Sequence, residues 1–262
     1  MPQLGFGIWQ VPEPQAIVAV AEALRTGYRS IDTATIYGNE GAIPRALAEA
    51  EVPRSEVFVT TKLWNSSHGF DAALRAFDKS LAELQTDYVD LYLIHWPAPR
   101  RDLYVETYKA LVRLKEEGRA RSIGVSNFGP EHLRRVVDEV GQAPALNQIE
   151  LHPRFAQREL RRVHAELGVV TEAWSPLGQG ALLTGPVVLA LAEKHDHTAA
   201  QVLLRWHLQH GHVVIPKSST KSRIHENFQV FDFTLDDGDL QRLDALDSPE
   251  GRIGPNPYTA TF

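Results

Sequence analysis

Asp32, Tyr37, Lys62 and His95 each follow a short apolar, strand-like run. Polar side chains delivered in this way to one rim of a parallel sheet can bring a carboxylate, a phenol, an ammonium and an imidazole together. A free tyrosine has a pKa of roughly 10, and a neighbouring cation favours the phenolate and lowers that value. Tyr37 beside Lys62 is expected to be such a phenol, giving a proton to a carbonyl oxygen as hydride reaches the carbon and taking one back in the reverse direction. Asp32, at the end of Ser30-Ile31-Asp32, is expected to keep a partly desolvated Lys62 charged. His95 is expected to hydrogen-bond the same carbonyl oxygen and orient the substrate. Each residue alone also has an ordinary reading: Asp32 as a loop cap, Tyr37 as a loop aromatic, His95 as a satisfied core histidine, Lys62 as a solvated strand-end lysine. Their joint placement at three consecutive strand ends favours the chemistry.

The elements that must position them can be read from periodicity. Short β-branched or aromatic runs occupy residues 4–9, 29–33, 57–63, 89–95, 122–126, 145–151, 169–174 and 213–216. Most gaps between them carry apolar residues at helical spacing, as in 71–84 and 199–209, with charged residues on the remaining face. Eight strands alternating with helices favour a (β/α)₈ TIM barrel over an open doubly wound sheet, which usually carries a glycine-rich nucleotide turn. No G-x-G-x-x-G is present, so a Rossmann cofactor site is unsupported. P-loop, zincin and nucleophile-elbow signatures are also missing.

Composition narrows the function classes further. At 262 residues and 43% hydrophobic content, the chain is expected to form a single barrel domain over 1–262. A formal net charge of -6 without clustered basic residues argues against nucleic acid as a partner. The absence of cysteine removes disulfides, thiolate zinc sites and thiol nucleophiles, and no metal is expected. No signal peptide or membrane span is visible, so a soluble, cytoplasmic protein is expected; the strand-end chemistry calls for a small-molecule carbonyl substrate, and the chain is read as a monomer.

Four separated motifs, GYRSIDTATIYGNE (27–40), VDLYLIHWP (89–97), SIGVSNF (122–128) and IPKSSTKSRIHENF (215–228), carry a resemblance. The chain resembles the aldo-keto reductases over nearly its whole length, in particular the bacterial 2,5-diketo-gluconic acid reductases. The resemblance implies a barrel that binds NADPH without a Rossmann fold, with Asp32, Tyr37, Lys62 and His95 as the catalytic set. It implies that Ser126, Asn127 and Gln148 hold the nicotinamide carboxamide and that Trp174 stacks on the ring. Trp174 to Gly178, including Ser175 and Leu177, would line the pyrophosphate. Lys217, Ser218 and Arg223 would meet the 2′-phosphate, with Asn227 near the adenine. A guanidinium can clamp such a phosphate bidentately, although Lys217, Lys221 and Arg223 could also be a merely solvated basic stretch. Trp9, Trp64 and Trp96 are expected to wall the substrate pocket. The leading expectation is NADPH-dependent reduction of aldehydes, ketones or keto sugars. The alternative is a cofactor-binding regulatory or structural protein, a use to which members of this superfamily are also put.

Three departures from the family pattern stand out. Only three residues precede Leu4, whereas relatives usually begin with a β-hairpin that plugs the barrel bottom; exposed apolar strand ends or an alternative plug are expected. Pro44 suggests that the helix after Tyr37 starts late and shifts the loop carrying that phenol. The tail after Glu250 is short and rich in Gly and Pro, which leaves substrate choice hard to read.

Overall fold

In the computed structural model, which describes residues 1–262, all eight expected strands form and alternate with helices. The strands are β1 (Phe6–Gly7), β2 (Ser30–Asp32), β3 (Phe58–Leu63), β4 (Val89–Ile94), β5 (Ala120–Ser126), β6 (Leu146–Glu150), β7 (Val170–Trp174) and β8 (Val213–Val214). The helices are α1 (Glu13–Thr26), α2 (Ala42–Ala50), α3 (Phe70–Leu84), α4 (Tyr104–Glu116), α5 (Pro130–Val140), α6 (Arg158–Leu167), α7 (Pro186–His195), α8 (Ala199–Gln209), α9 (Lys221–Phe228) and α10 (Asp237–Asp244). Each strand pairs in parallel with the next in chain order. A Leu4–Val214 bridge closes the ring, and the Gly5 and Gly7 amides donate to Val214 O and Pro216 O at 2.8 and 3.1 Å. The result is the expected (β/α)₈ barrel. The runs at 4–9 and 213–216 shorten to two ladder residues each, but their neighbours still bond across the seam.

Alternation along the strands divides the barrel into two environments. Outward residues such as Ile31, Val59, Tyr92, Ile123, Ile149 and Ala173 join the helix faces in one core of 50 buried residues. The inward set is different in kind, because Asp32, Lys62, Gln148 and Glu172 are polar and buried in the middle of the barrel. Towards the strand starts, Leu91, Leu93 and Leu146 form a separate apolar cluster with Phe58 packed against it. This inward cluster fills the barrel near the strand starts, while Val170 at the start of β7 remains 44% exposed.

Gly124 on β5 makes that cluster possible. A Cβ there would lie 2.5 Å from Leu146 O and 2.8 Å from Leu93 Cδ2, and a backbone carbonyl cannot step aside. Gly124→Ala is therefore expected to destabilise the barrel by about 1–3 kcal/mol, the usual range for overpacking. Thermal denaturation checks this, and an unchanged melting temperature would show that the strands can spread.

The expectation for Pro44 needs correction. α2 begins at Ala42, two residues before the proline, so Pro44 sits in the first turn. An amide at that position has no intrahelical acceptor, and losing it costs the helix nothing. The loop carrying Tyr37 is tied to the end of β3. A 3₁₀ turn spans Thr35–Tyr37, and the Thr35 hydroxyl donates to Lys62 O at 3.0 Å. Behind it, buried Asn39 donates to Ile8 O and Val11 O at 2.9 and 3.0 Å and accepts from the Thr33 hydroxyl at 2.8 Å.

Candidate active site

Three consecutive strand ends, those of β2, β3 and β4, converge on a buried ion pair. Lys62 Nζ donates to Asp32 Oδ1 at 2.5 Å and to Thr33 O at 2.9 Å, and neither Lys62 nor Asp32 is solvated. Burial alone would pull the ammonium's pKa down, but Asp32, with smaller contributions from Tyr37 and Glu172, raises it above the ordinary value. Lys62 is thus a fixed cation. Its Nζ lies 5.1 Å from the centroid of the Tyr37 ring, and that ring meets His95 edge-on at 5.6 Å. All four residues singled out in the sequence are brought together.

One electrostatic expectation is reversed. Burial pushes the Tyr37 phenol up, Lys62 pulls it down, and Asp32 pushes it up again, so that the net shift is above the ordinary tyrosine value. The ammonium offsets part of the burial cost rather than producing an acidic phenol. His95 is shifted the other way: burial, reinforced by the repulsion of Lys62, holds it well below the usual histidine range, as a neutral imidazole. Its Nδ1 is buried without a partner.

Beside the ion pair, Ser126, Asn127, Gln148 and Trp174 form a continuous network. The Ser126 hydroxyl donates to Gln148 O at 2.8 Å. Asn127 donates to Ser126 Oγ at 3.1 Å and to His95 O at 3.0 Å, and its Oδ1 accepts from the Trp174 indole at 2.8 Å. Gln148 Nε2 donates to Asp32 Oδ2 and to Glu172 Oε2, both at 2.8 Å. Asn127 has therefore committed its whole amide to the protein, whereas the side-chain oxygen of Gln148, Oε1, is engaged by no protein donor.

Continuing along the rim, β7 and β8 are neighbours, which sets the loop after Trp174 beside the loop after Val214. Ser175 and Gln179 take left-handed backbone conformations there, and Ser175, Leu177 and Gly178 line the turn. The next segment leads into α9, whose N-terminus has neither a side-chain cap nor an acidic residue in its first turn. Lys217 and Arg223 are exposed there and pair with no carboxylate. Lys221 is instead tied to Glu22 at 3.2 Å, so the stretch is divided between a structural lysine and two free cations. Ser218 turns inward to bond Thr220, and buried Asn227 donates to no protein group. An uncapped helix start flanked by two free cations fits a phosphate.

The aromatic wall differs from expectation. Trp64 and Trp96 converge on Phe262, at ring distances of 5.6 and 5.1 Å, and Trp64 also meets His95 at 5.2 Å. Trp9 does not join them and stands 44% exposed on the rim. Phe262 arrives because the tail folds back over the mouth. The amides of Ile253 and Gly254 donate to the Glu150 carboxylate at 2.6 and 2.8 Å, and Asn65 donates to Phe262 O at 3.0 Å. Gly254 passes so close that a Cβ would lie 2.4 Å from the Trp174 ring. Phe262, Glu150 and Glu172 were not found from the sequence. Phe262 carried no local signal, while Glu150 and Glu172 could have been flagged as acids in phase with inward-facing strand positions.

Comparison with known proteins agrees with this geometry. The model of the Aldo/keto reductase family matches residues 3–248. An aldo-keto reductase of Mycobacterium sp. (strain KMS) is 55% identical over 262 residues, 100% of this chain and 95% of the relative. The methylglyoxal reductase DkgA of Escherichia coli (strain K12) is 50% identical over 259 residues, 98% of this chain and 93% of the relative. A crystal structure of a Gox0644 mutant in complex with NADPH matches with a TM-score of 0.97 and 49% identity, covering 100% of this chain and 95% of that one. The chain belongs to the aldo/keto reductase family. It is accordingly an NADP-dependent oxidoreductase, the enzyme class and cofactor implied by its motifs.

Proposed function

We propose that this protein reduces small aldehydes, ketones or keto sugars to alcohols, with Tyr37 giving the proton to the carbonyl oxygen. The observation that carries the reading is the Tyr37 ring seated over a sealed Asp32–Lys62 pair, with a neutral His95 beside it. Bound NADPH supplies the hydride. Lys62 stabilises the negative charge that Tyr37 gains on losing its proton, and Asp32 keeps Lys62 charged. His95, as a neutral imidazole, donates one hydrogen bond to the carbonyl oxygen without competing for the proton. The half-buried Trp174 face and the Gln148 oxygen suit the nicotinamide end, whereas Asn127 joins only by giving up one of its present bonds. Ser126 acts by fixing Gln148. The loop of Ser175, Leu177 and Gly178 suits the pyrophosphate, and Lys217, Arg223, Ser218 and Asn227 suit the phosphorylated adenosine. Trp64, Trp96 and Phe262 form a narrow aromatic wall beside His95 that favours short or planar carbonyl compounds, and Trp9 takes no part in it. The relative named as a methylglyoxal reductase makes 2-oxoaldehydes the first substrates to try.

Mixing NADPH-loaded protein with methylglyoxal, 2,5-diketo-gluconate and aromatic aldehydes in a stopped-flow instrument tests the reading, because a binding module would leave the cofactor reduced. Two further outcomes are expected. Arg223→Ala should weaken NADPH about tenfold or more, the loss expected for one hydrogen bond to a charged group, and leave NADH almost unchanged. Equal losses for both cofactors would remove Arg223 from phosphate recognition. Since Tyr37 sits above the ordinary tyrosine value, the proton donor stays loaded through neutral and mildly alkaline pH, and its share of the activity is lost only as pH rises through that elevated value. A pH profile of reduction losing its proton donor below neutrality would contradict this.

A further inference from the structure

Glu172 on β7 is a carboxyl group sealed in the barrel interior, and the reaction proposed above does not use it. It is fully buried, its Oε2 accepts from Gln148 Nε2 at 2.8 Å, and its Oε1 has no partner at all. The same Gln148 amide donates its other hydrogen to Asp32 Oδ2 at 2.8 Å, which makes Glu172, Gln148, Asp32 and Lys62 one connected chain. That chain holds two carboxyls and a single cation, and the cation bonds Asp32 and Thr33 O rather than Glu172. An ionised Glu172 would leave a net negative charge and an unpaired carboxylate oxygen in a dry interior, which is among the costliest arrangements in a protein. Only Asp32 from β2 and Lys62 from β3 face it with charge. On its own sheet the neighbours are Gln148 from β6 and, in register on β8, Val213. Nothing in that surrounding can neutralise a second anion.

We propose that Glu172 is a further functional residue of this site, a positioning residue held as a neutral carboxylic acid that sets the net charge of the chain Glu172–Gln148–Asp32–Lys62 and thereby the acidity of Tyr37. This rests on the reading of Tyr37 as proton donor. While Glu172 is neutral, the pair has no net charge and the field of Lys62 on the phenol is opposed by Asp32 alone. When Glu172 loses its proton, a second negative charge joins the chain, the phenolate is disfavoured, and Tyr37 becomes a weaker acid. Burial is the main cause that raises the Glu172 carboxyl, with Asp32 adding to it, to about 8. The change in charge state therefore falls in a range where the enzyme can be assayed on both sides. Reduction should slow as pH rises through that value, before Tyr37 itself titrates.

Two measurements test this on the intact protein. Infrared difference spectra of wild type against Glu172→Gln should contain a carboxylic-acid carbonyl band at pH 6.5 that is gone at pH 9.5. Glu40, another buried carboxyl that burial raises, is common to both proteins and cancels. If Glu172→Gln does not fold, Glu172→Asp shifts the band instead. In parallel, kcat for carbonyl reduction should fall about threefold or more between pH 7 and 9 in wild type and stay level in Glu172→Gln, whose neutral side chain leaves the four linked groups without net charge. A difference spectrum without the band at pH 6.5, or the same kinetic step in both proteins, overturns the proposal. A band without turnover on any carbonyl overturns the proposed reduction, and with it the effect on Tyr37, while leaving the neutral acid established.

Discussion

Tyr37→Phe is expected to lower kcat for carbonyl reduction by about 10²- to 10⁴-fold, the range that a positioned proton donor contributes. NADPH affinity should remain within about twofold, because the hydroxyl is not part of the Gln148, Asn127 and Trp174 network or of the basic strip at α9. The loss should appear in kcat and kcat/KM alike, as for an interaction made only in the transition state. Stability should hardly change, since the variant keeps the ring over Lys62 and the edge contact with His95. Steady-state kinetics with fluorescence titration of NADPH checks all of this, and a variant with normal turnover would remove Tyr37 from the mechanism.

Lys62→Met is expected to damage the fold as well as the reaction. Removing the only cation of the interior leaves Asp32 buried without its counter-charge, and breaking a buried pair in this way costs about 3–5 kcal/mol. For a chain of this size that lowers the melting temperature by roughly 10 °C. The double variant Asp32→Asn with Lys62→Met should recover much of the loss, because neither charge then remains to be buried. Thermal and urea denaturation of the two singles and the double measure the coupling. If Lys62→Met alone melts like wild type, the interior is wetter than its zero exposure implies, and the argument for a neutral Glu172 weakens with it.

Much of this was open to reading from the amino acids because both strand and helix advertise themselves locally. Short β-branched and aromatic runs over 57–63 and 89–95 identify β3 and β4 and put Lys62 and His95 at their ends, and the helical period over 71–84 and 199–209 matches α3 and α8 to within a residue. Proline reads locally as a helix breaker, whereas Pro44 stands in the first turn of α2, where its missing amide has no partner. The direction of the Tyr37 shift also escaped. A neighbouring lysine is visible in a motif, but the depth at which a phenol is buried belongs to the packing around it.

The linear chain by itself determined which side chains stand at the strand ends, and so the kind of reaction they can support. It also determined that the barrel would have eight βα units, since periodicity is a property of neighbours along the backbone. Only tertiary structure decided that Glu172 shares Gln148 with Asp32, that Phe262 closes against Trp64 and Trp96, and that Trp9 stays apart. Those contacts join residues far apart in the chain, and their energies depend on desolvation and on how many charges share one dry space. No spacing of residue types encodes that count until the ring of strands has closed.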